Sequence, residues 1–433
     1  MDTNKILTIK GKKKSAIFLF LLAFSFNLFS QNKINIYIEN SGSMKGFFEL
    51  GTNCDNTISN IKTNVPLLFK TANLNGYLIN DAATSLFNLN NQLNNIPVNP
   101  NVSTPIPDML KKIIDGYKKD DISLFISDFI YNGGTTSTIL NRYKNEITQV
   151  FSKFKYDCLV LKLYSNFKGT YWAISNQPII PSSNSKVFPY YIFIFGNSEK
   201  VLEFYSKIKP QLDLPNGFNA KECLFYNNPN KVDLTDYQIQ IGTRDNKGKI
   251  ECTDRINKNA LKSINLDSRS KELQIPIKVK LNNIKLTEAY LTDSKNYTVI
   301  PSNYTLEIKP TPTGDNYSHL FLLKSNSIIN QNISITLNKI IPDWCKYNIL
   351  KDDNDSDILT NTEKTFGFSY LMKGIAEKYC YKEEKYDTYF FKIQIPFGVN
   401  SPKSKPSTKL FYGFFLLLGV GGAAYYFYKK SKK

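Results

Sequence analysis

Two periodicities divide the chain: between residues 33 and 208 apolar runs alternate with helical stripes, whereas beyond residue 210 apolar positions recur every second residue. Ile34, Ile36 and Ile38 alternate up to Glu39 and predict a first strand. Ile58, Ile61, Val65, Leu68 and Phe69 follow at helical spacing, with Asn64 before Pro66 as a start or kink point. Residues 76–80 and 85–89 predict two further strands. Pro107 opens a helix that places Leu110, Ile113, Ile114 and Tyr117 on one face. Residues 122–128 form a nearly continuous apolar run, as in a parallel strand covered on both sides. A helical stripe of Leu140, Tyr143, Ile147, Val150, Phe151 and Phe154 then leads to another buried run at 158–163. The order strand, helix, strand, helix, strand predicts an α/β fold with a doubly wound, mostly parallel sheet over residues 31–208.

Late strands at 169–172 and 190–195 and a helix at 198–208 complete that domain. Past Pro210 come the alternating runs Tyr237/Ile239/Ile241, Leu273/Ile275/Ile277/Val279/Leu281 and Ile333/Ile335/Leu337, which predict a β-sandwich-like domain over residues 209–345. Pro276 within the second run predicts an edge strand. A helix at 362–379 and a strand at 390–396 make up an extension over 346–396, and a stiff polar linker fills 397–409.

The chain has 433 residues, more than one ordinary core holds, and 42% of them are hydrophobic, enough for packed domains. Its formal charge of +18 suggests nucleic acid until the lysines are located. Five lysines stand against Asp2 in residues 1–30, and seven lysines with no acid lie in residues 396–433, so most of the excess is terminal. Each cluster flanks an apolar run. Lys12, Lys13 and Lys14 precede the run 16–29, which predicts a signal peptide over 1–30. Residues 410–428 are 19 uncharged positions, about one bilayer span, ending in the aromatic belt Tyr425, Tyr426, Phe427 and Tyr428 and a cytoplasmic basic tail at 429–433. The expectation is a single-pass membrane protein of a bacterial cell envelope, with its bulk extracytoplasmic and no nucleic-acid partner.

Six cysteines fall in the exported region, and six allow 15 pairings, with Cys223–Cys252 and Cys345–Cys380 the local ones. No CxxC spacing occurs, and His319 is the only histidine, which excludes a His-rich metal site and argues against a Ser-His-Asp triad. The acidic stretch 352–357, with Glu363 beyond it, has calcium-loop composition but carries Asp357 where the sharp turn needs glycine, so it reads as a solvated loop.

Chemistry concentrates where predicted strands end. Glu39, Ser41 and Ser43 follow the first strand, Ser103 and Thr104 precede the Pro107 helix, and Asp128 closes the buried run. Carboxylates and hydroxyls converging from separate loops at the carboxyl ends of parallel strands suit a hard divalent cation. This arrangement resembles the von Willebrand factor type A domain and its metal-ion-dependent adhesion site. The family motif Asp-x-Ser-x-Ser is similar to Glu39-Asn-Ser41-Gly-Ser43, its separate threonine to Thr104, and its later aspartate to Asp128. Glu39 in place of aspartate is the departure, and its extra methylene shifts the carboxylate by about one bond length. The resemblance implies Mg²⁺ or Mn²⁺ held by Glu39, Ser41, Ser43, Thr104 and Asp128, engaging an acidic side chain of a protein partner: binding, not catalysis. Two rivals are a metal-independent structural subunit of an envelope complex and a metal-dependent hydrolase.

Overall fold

The computed structural model describes residues 33–70, 72–80, 84–96, 105–172, 178–179, 186–227, 232–346, 361–382 and 388–398. The expected signal peptide, Thr104, the acidic stretch 352–357 and the apolar run 410–428 lie outside these residues. Among the described residues no helix is long and apolar enough to cross a membrane.

The chain divides into two compact units. The first is mixed α/β and takes in residues up to Lys231 together with two returning stretches, Asn283–Asn296 and Leu337–Phe390. Its strands are β1 (Lys33–Glu39), β2 (Asn73–Ile79), β3 (Thr84–Phe87), β4 (Ile122–Ser127), β5 (Asp157–Asn166), the two-residue pair β6 (Tyr171–Trp172) and β7 (Pro178–Ile179), β8 (Val187–Gly196) and β9 (Lys221–Phe225). Seven of them make one sheet in the order β3-β2-β1-β4-β8-β5-β9.

That sheet is mixed, which corrects the expectation of a mostly parallel one. β1 runs parallel to β2 and β4, but β3 is antiparallel to β2, and β8 is antiparallel to both β4 and β5. Among the described residues of the connection from β5 to β8 there is no crossover helix, only the short pair β6 and β7, and the strand returns in the opposite direction. β8 then inserts between β4 and β5, the pair that α3 links.

Helices α1 (Asn53–Leu68), α2 (Ile106–Gly116), α3 (Ser137–Ser152) and α4 (Ser198–Ile208) alternate with these strands. Thr52, Thr136 and Asn197 cap α1, α3 and α4 by accepting the amides of Asp55, Ile139 and Glu199. α1 starts earlier than its apolar stripe implies because the Thr52 cap sets its origin, and Pro66 is tolerated in its last turn. The returning stretches add α5 (Glu288–Thr292), α6 (Asp343–Lys346) and α7 (Phe368–Lys378). α7 begins ten residues before its last rather than at 362, because Gly367 adopts a left-handed φ of 76° that ends the preceding segment. Thr148 on α3 donates to the Gly374 carbonyl at 3.1 Å, joining α3 to α7. Phe368 stacks on Tyr191 with 3.9 Å between centroids, so the returning chain packs on the sheet. Such buried ring pairs carry much of the apolar burial.

The second unit comprises Val232–Asn282, Tyr297–Thr336 and the chain from Phe391. It is not confined to 209–345, because the chain leaves it twice for the α/β unit. Its strands are β10 (Val232–Asp233), β11 (Tyr237–Ile239), β12 (Lys249–Cys252), β13 (Leu261–Asn265), β14 (Leu273–Val279), β15 (Tyr297–Ile300), β16 (Thr305–Pro310), β17 (His319–Ser325), β18 (Ile333–Asn338) and β19 (Tyr389–Ile395). Two four-stranded sheets result, β10-β19-β18-β15 and β11-β14-β17-β16, with β12-β13 as a separate hairpin. Tyr297 of the first sheet meets Phe321 of the second edge-on at 5.6 Å.

Pro276 is not on an edge strand, since β14 lies between β11 and β17. Its carbonyl accepts the Gln240 amide at 2.8 Å, just past the end of β11; the reciprocal bond that its nitrogen cannot donate is replaced at the Gln240 carbonyl by the Asn246 side-chain amide at 3.0 Å.

Candidate functional site

β1 and β4 pair in parallel register, with Ile34 beside Ile122 and Ile38 beside Ile126, so Glu39 and Ser127 reach the same sheet rim one position later. The Asn40 amide donates to the Ile79 carbonyl of β2 at 3.3 Å, and the chain then turns at Ser41 into a 3-10 helix, Gly42–Phe47. Met44 and Phe47 are fully buried and anchor this turn. Gly46 is required because the Phe167 ring lies against it; a Cβ there would stand 2.2 Å from Phe167 Cζ. Lys168 donates its amide to the Gly46 carbonyl at 3.1 Å, so the chain leaving β5 supports the serine turn.

Three of the residues singled out in the sequence gather here. The Ser41 and Ser43 hydroxyls hydrogen-bond at 2.9 Å, beside the Asp128 carboxyl. Asp128 is 2% exposed; its Oδ1 accepts the Ile130 amide at 3.1 Å, while Oδ2 is buried without a hydrogen-bond partner. Burial pushes the Asp128 pKa up, against the lowering pull of Ser43 and of backbone amides. Its charge faces the start of α1 and β6, since it contributes to raising the pKa of Cys54 and Tyr171, although burial of those groups is the larger cause. Asn40 Oδ1 is a second buried oxygen without a partner on the same rim.

Glu39 is also 2% exposed, and its carboxylate accepts the Ser127 hydroxyl. Ser127 in turn accepts the Phe129 amide at 2.8 Å. Phe129 takes a left-handed φ of 53° and stacks on Phe193 at 4.2 Å, turning the chain away directly after Asp128. Ser127 was not among the sequence candidates; only the strand register reveals that it stands beside Glu39. Thr104, outside the described residues, precedes Pro105, the residue that caps α2. A cleft of about 680 Å³ lies beyond, lined by Pro105, Pro107, Asp108, Lys111, Tyr131 and Asn132 among others.

Among the described residues no three His, Cys, Asp or Glu side chains gather to hold a metal ion. Ser41, Ser43 and Asp128 supply oxygen donors at one point of the rim, and Glu39 is engaged separately by Ser127; oxygen donors are of the kind that suits Mg²⁺ or Mn²⁺ and not a thiolate- or imidazole-seeking ion. A buried carboxylate with one oxygen unpaired is costly unless something compensates it, and a cation does so. The donor chemistry of these residues is compatible with such an ion.

The other residues weighed in the sequence lie elsewhere. His319 begins β17 with Nδ1 2.9 Å from the Ser318 hydroxyl. All six cysteines are free thiols, so neither local pairing is formed. No protein-family model, curated protein or solved structure matches this chain.

Proposed function

We propose that the protein is a membrane-anchored, extracytoplasmic interaction protein of the von Willebrand factor type A kind, in which Glu39, Ser41, Ser43, Thr104 and Asp128 hold Mg²⁺ or Mn²⁺. When bound, the ion would supply positive charge incompletely neutralised by two carboxylates and so attract an acidic side chain of a protein partner. The chain's own residues do the positioning: the 3-10 turn fixes Ser41 and Ser43, Ser127 orients Glu39, and the Ile130 amide orients Asp128. The observation that carries this reading is the buried, unpartnered Asp128 Oδ2 beside the linked serine hydroxyls. Helices against the sheet and the parallel run β2-β1-β4 within it support the family likeness. The reading is of a binding protein rather than an enzyme.

One observation favours a metal-independent scaffold: Glu39 already has the Ser127 hydroxyl as a donor. Calorimetric titration of Mg²⁺ and Mn²⁺ into the full chain separates the two. Saturable binding that disappears in Ser41→Ala/Ser43→Ala supports the cation site, and partner capture abolished by EDTA extends it to recognition. Absence of binding, or binding indifferent to both serines, leaves the scaffold.

A further inference from the structure

At the end of the sheet opposite the serine turn, a cavity of about 410 Å³ opens where β1 and β4 begin. Its floor is Ile34 and Ile122, cross-strand neighbours that are 2% and 6% exposed. One wall is the end of α1. There Leu67 and Leu68 stay 65% and 38% exposed, and Phe69 leaves the helix to stack on Phe204 of α4 at 5.3 Å. The facing wall is α4, which contributes Lys200, Glu203 and Lys207. Two of the cavity's lysines are answered: Lys200 pairs with Asp120 at 3.0 Å and Lys207 with Glu203 at 2.6 Å. Lys207 Nζ also lies 4.5 Å from the centre of the Phe69 ring. The other two, Lys33 and Lys70, form no ion pair among the described residues. Lys33 is fixed through its amide, which donates to Asp121 Oδ1 at 3.2 Å. The cavity is thus apolar at its base and carries two uncompensated positive charges on its solvent side. Its size falls within the range of about 300–1,000 Å³ usual for small-molecule sites, where a few charged groups fix the orientation of an apolar ligand.

We infer that this cavity binds a small monocarboxylate with an apolar body, its hydrocarbon part over Ile34, Ile122 and Phe69 and its carboxylate between Lys33 and Lys70. Covering the exposed leucine surface supplies most of the favourable free energy. The lysines select the anion, and because they are exposed their pull is modest and screened by salt. A bare inorganic anion gains nothing from the floor, and a neutral hydrocarbon leaves both lysines without a counter-charge, so the two halves of the ligand are both needed. The carboxyl end of α1 carries partial negative charge, which disfavours a multiply charged phosphate relative to a monoanion. Lys33 and Glu39 mark the two ends of β1, about 20 Å apart, so the inference is independent of the cation site.

The probe is octanoate, titrated calorimetrically into the full chain, which is carried in phosphatidylcholine nanodiscs if it needs a bilayer, with empty discs as the blank. Saturable binding is expected, with acetate at least about tenfold weaker because it lacks the apolar body. Lys33→Gln/Lys70→Gln should weaken octanoate about five- to tenfold without moving the melting temperature. Ala72→Leu, which narrows the cavity, should weaken it as well. Acetylation of amines read by peptide mass spectrometry localises the site: octanoate should slow labelling of Lys33 and Lys70 and leave Lys153, which lines the separate cleft beside α3, unchanged. No saturable binding, acetate bound as tightly as octanoate, or binding and protection indifferent to the lysine pair overturns the inference.

Discussion

Ser127 bridges two chain segments with one oxygen, donating to the Glu39 carboxylate and accepting the Phe129 amide at 2.8 Å. It thereby ties the end of β1 to the turn that follows β4. Ser127→Ala leaves that amide and a buried carboxylate short of a partner, each at a cost of about 1–3 kcal/mol. Urea unfolding should show the loss; a midpoint within error of wild type would mean that Glu39 draws its support elsewhere.

Asp128 should make stability fall with pH. Its folded pKa is raised above the ordinary value of 3.8, so between 3.8 and the raised value the folded state binds more protons than the unfolded one. Stability is then lost as pH rises through that window and stays low above it. Asp128→Asn removes this slope relative to wild type, which urea titrations across the acid range will measure. If the proposed ion binds, saturating Mg²⁺ should restore stability in wild type above the window and have no effect in Asp128→Asn.

Lys162 predicts the opposite trend at alkaline pH. The residue is 4% exposed, and burial, its largest influence, pushes its pKa down from 10.5 to about 8. Between those values the unfolded chain keeps a proton that the folded chain sheds, so stability rises with pH across the window. Lys162→Met should abolish the rise. A parallel increase in both proteins would assign it to another group.

Gly367 holds the N-terminus of α7 against the loop after Asp128. Its φ of 76° is unfavourable for any side chain, and a Cβ would stand 2.5 Å from Tyr131 Cβ. Gly367→Ala should cost about 2–4 kcal/mol and loosen α7 from the sheet. Trp344, whose ring lies 6.2 Å from Phe368, offers a fluorescence readout; unchanged emission and melting would contradict the packing described.

The local elements of the α/β unit were legible because their apolar spacing is set within each segment: Ile34, Ile36 and Ile38, or the wholly buried 122–127 run, need no distant partner to be recognised. Strand direction was not legible. Residues 187–196 read the same whichever way they run, and only the path from β5 decides that β8 lies antiparallel between β4 and β5. The same limit hid the fate of residues 283–296 and 337–390, whose return to the first unit is a long-range packing choice. At the site, Ser41, Ser43 and Asp128 stood out by residue type and position. Ser127 did not, since a serine inside an apolar run gains meaning only from the register that sets it beside Glu39.

Phe167, on the chain leaving β5, presses on Gly46, and Lys168 bonds its carbonyl. The reversed strand that breaks the parallel sheet therefore has a mechanical effect at the rim: the β5–β8 connector braces the serine turn from behind. A loop braced in this way has surrendered its conformational freedom during folding, so a ligand arriving at Ser41 and Ser43 meets a surface that needs little further ordering. Weakening the brace should slow or weaken capture without touching any group that contacts the ligand.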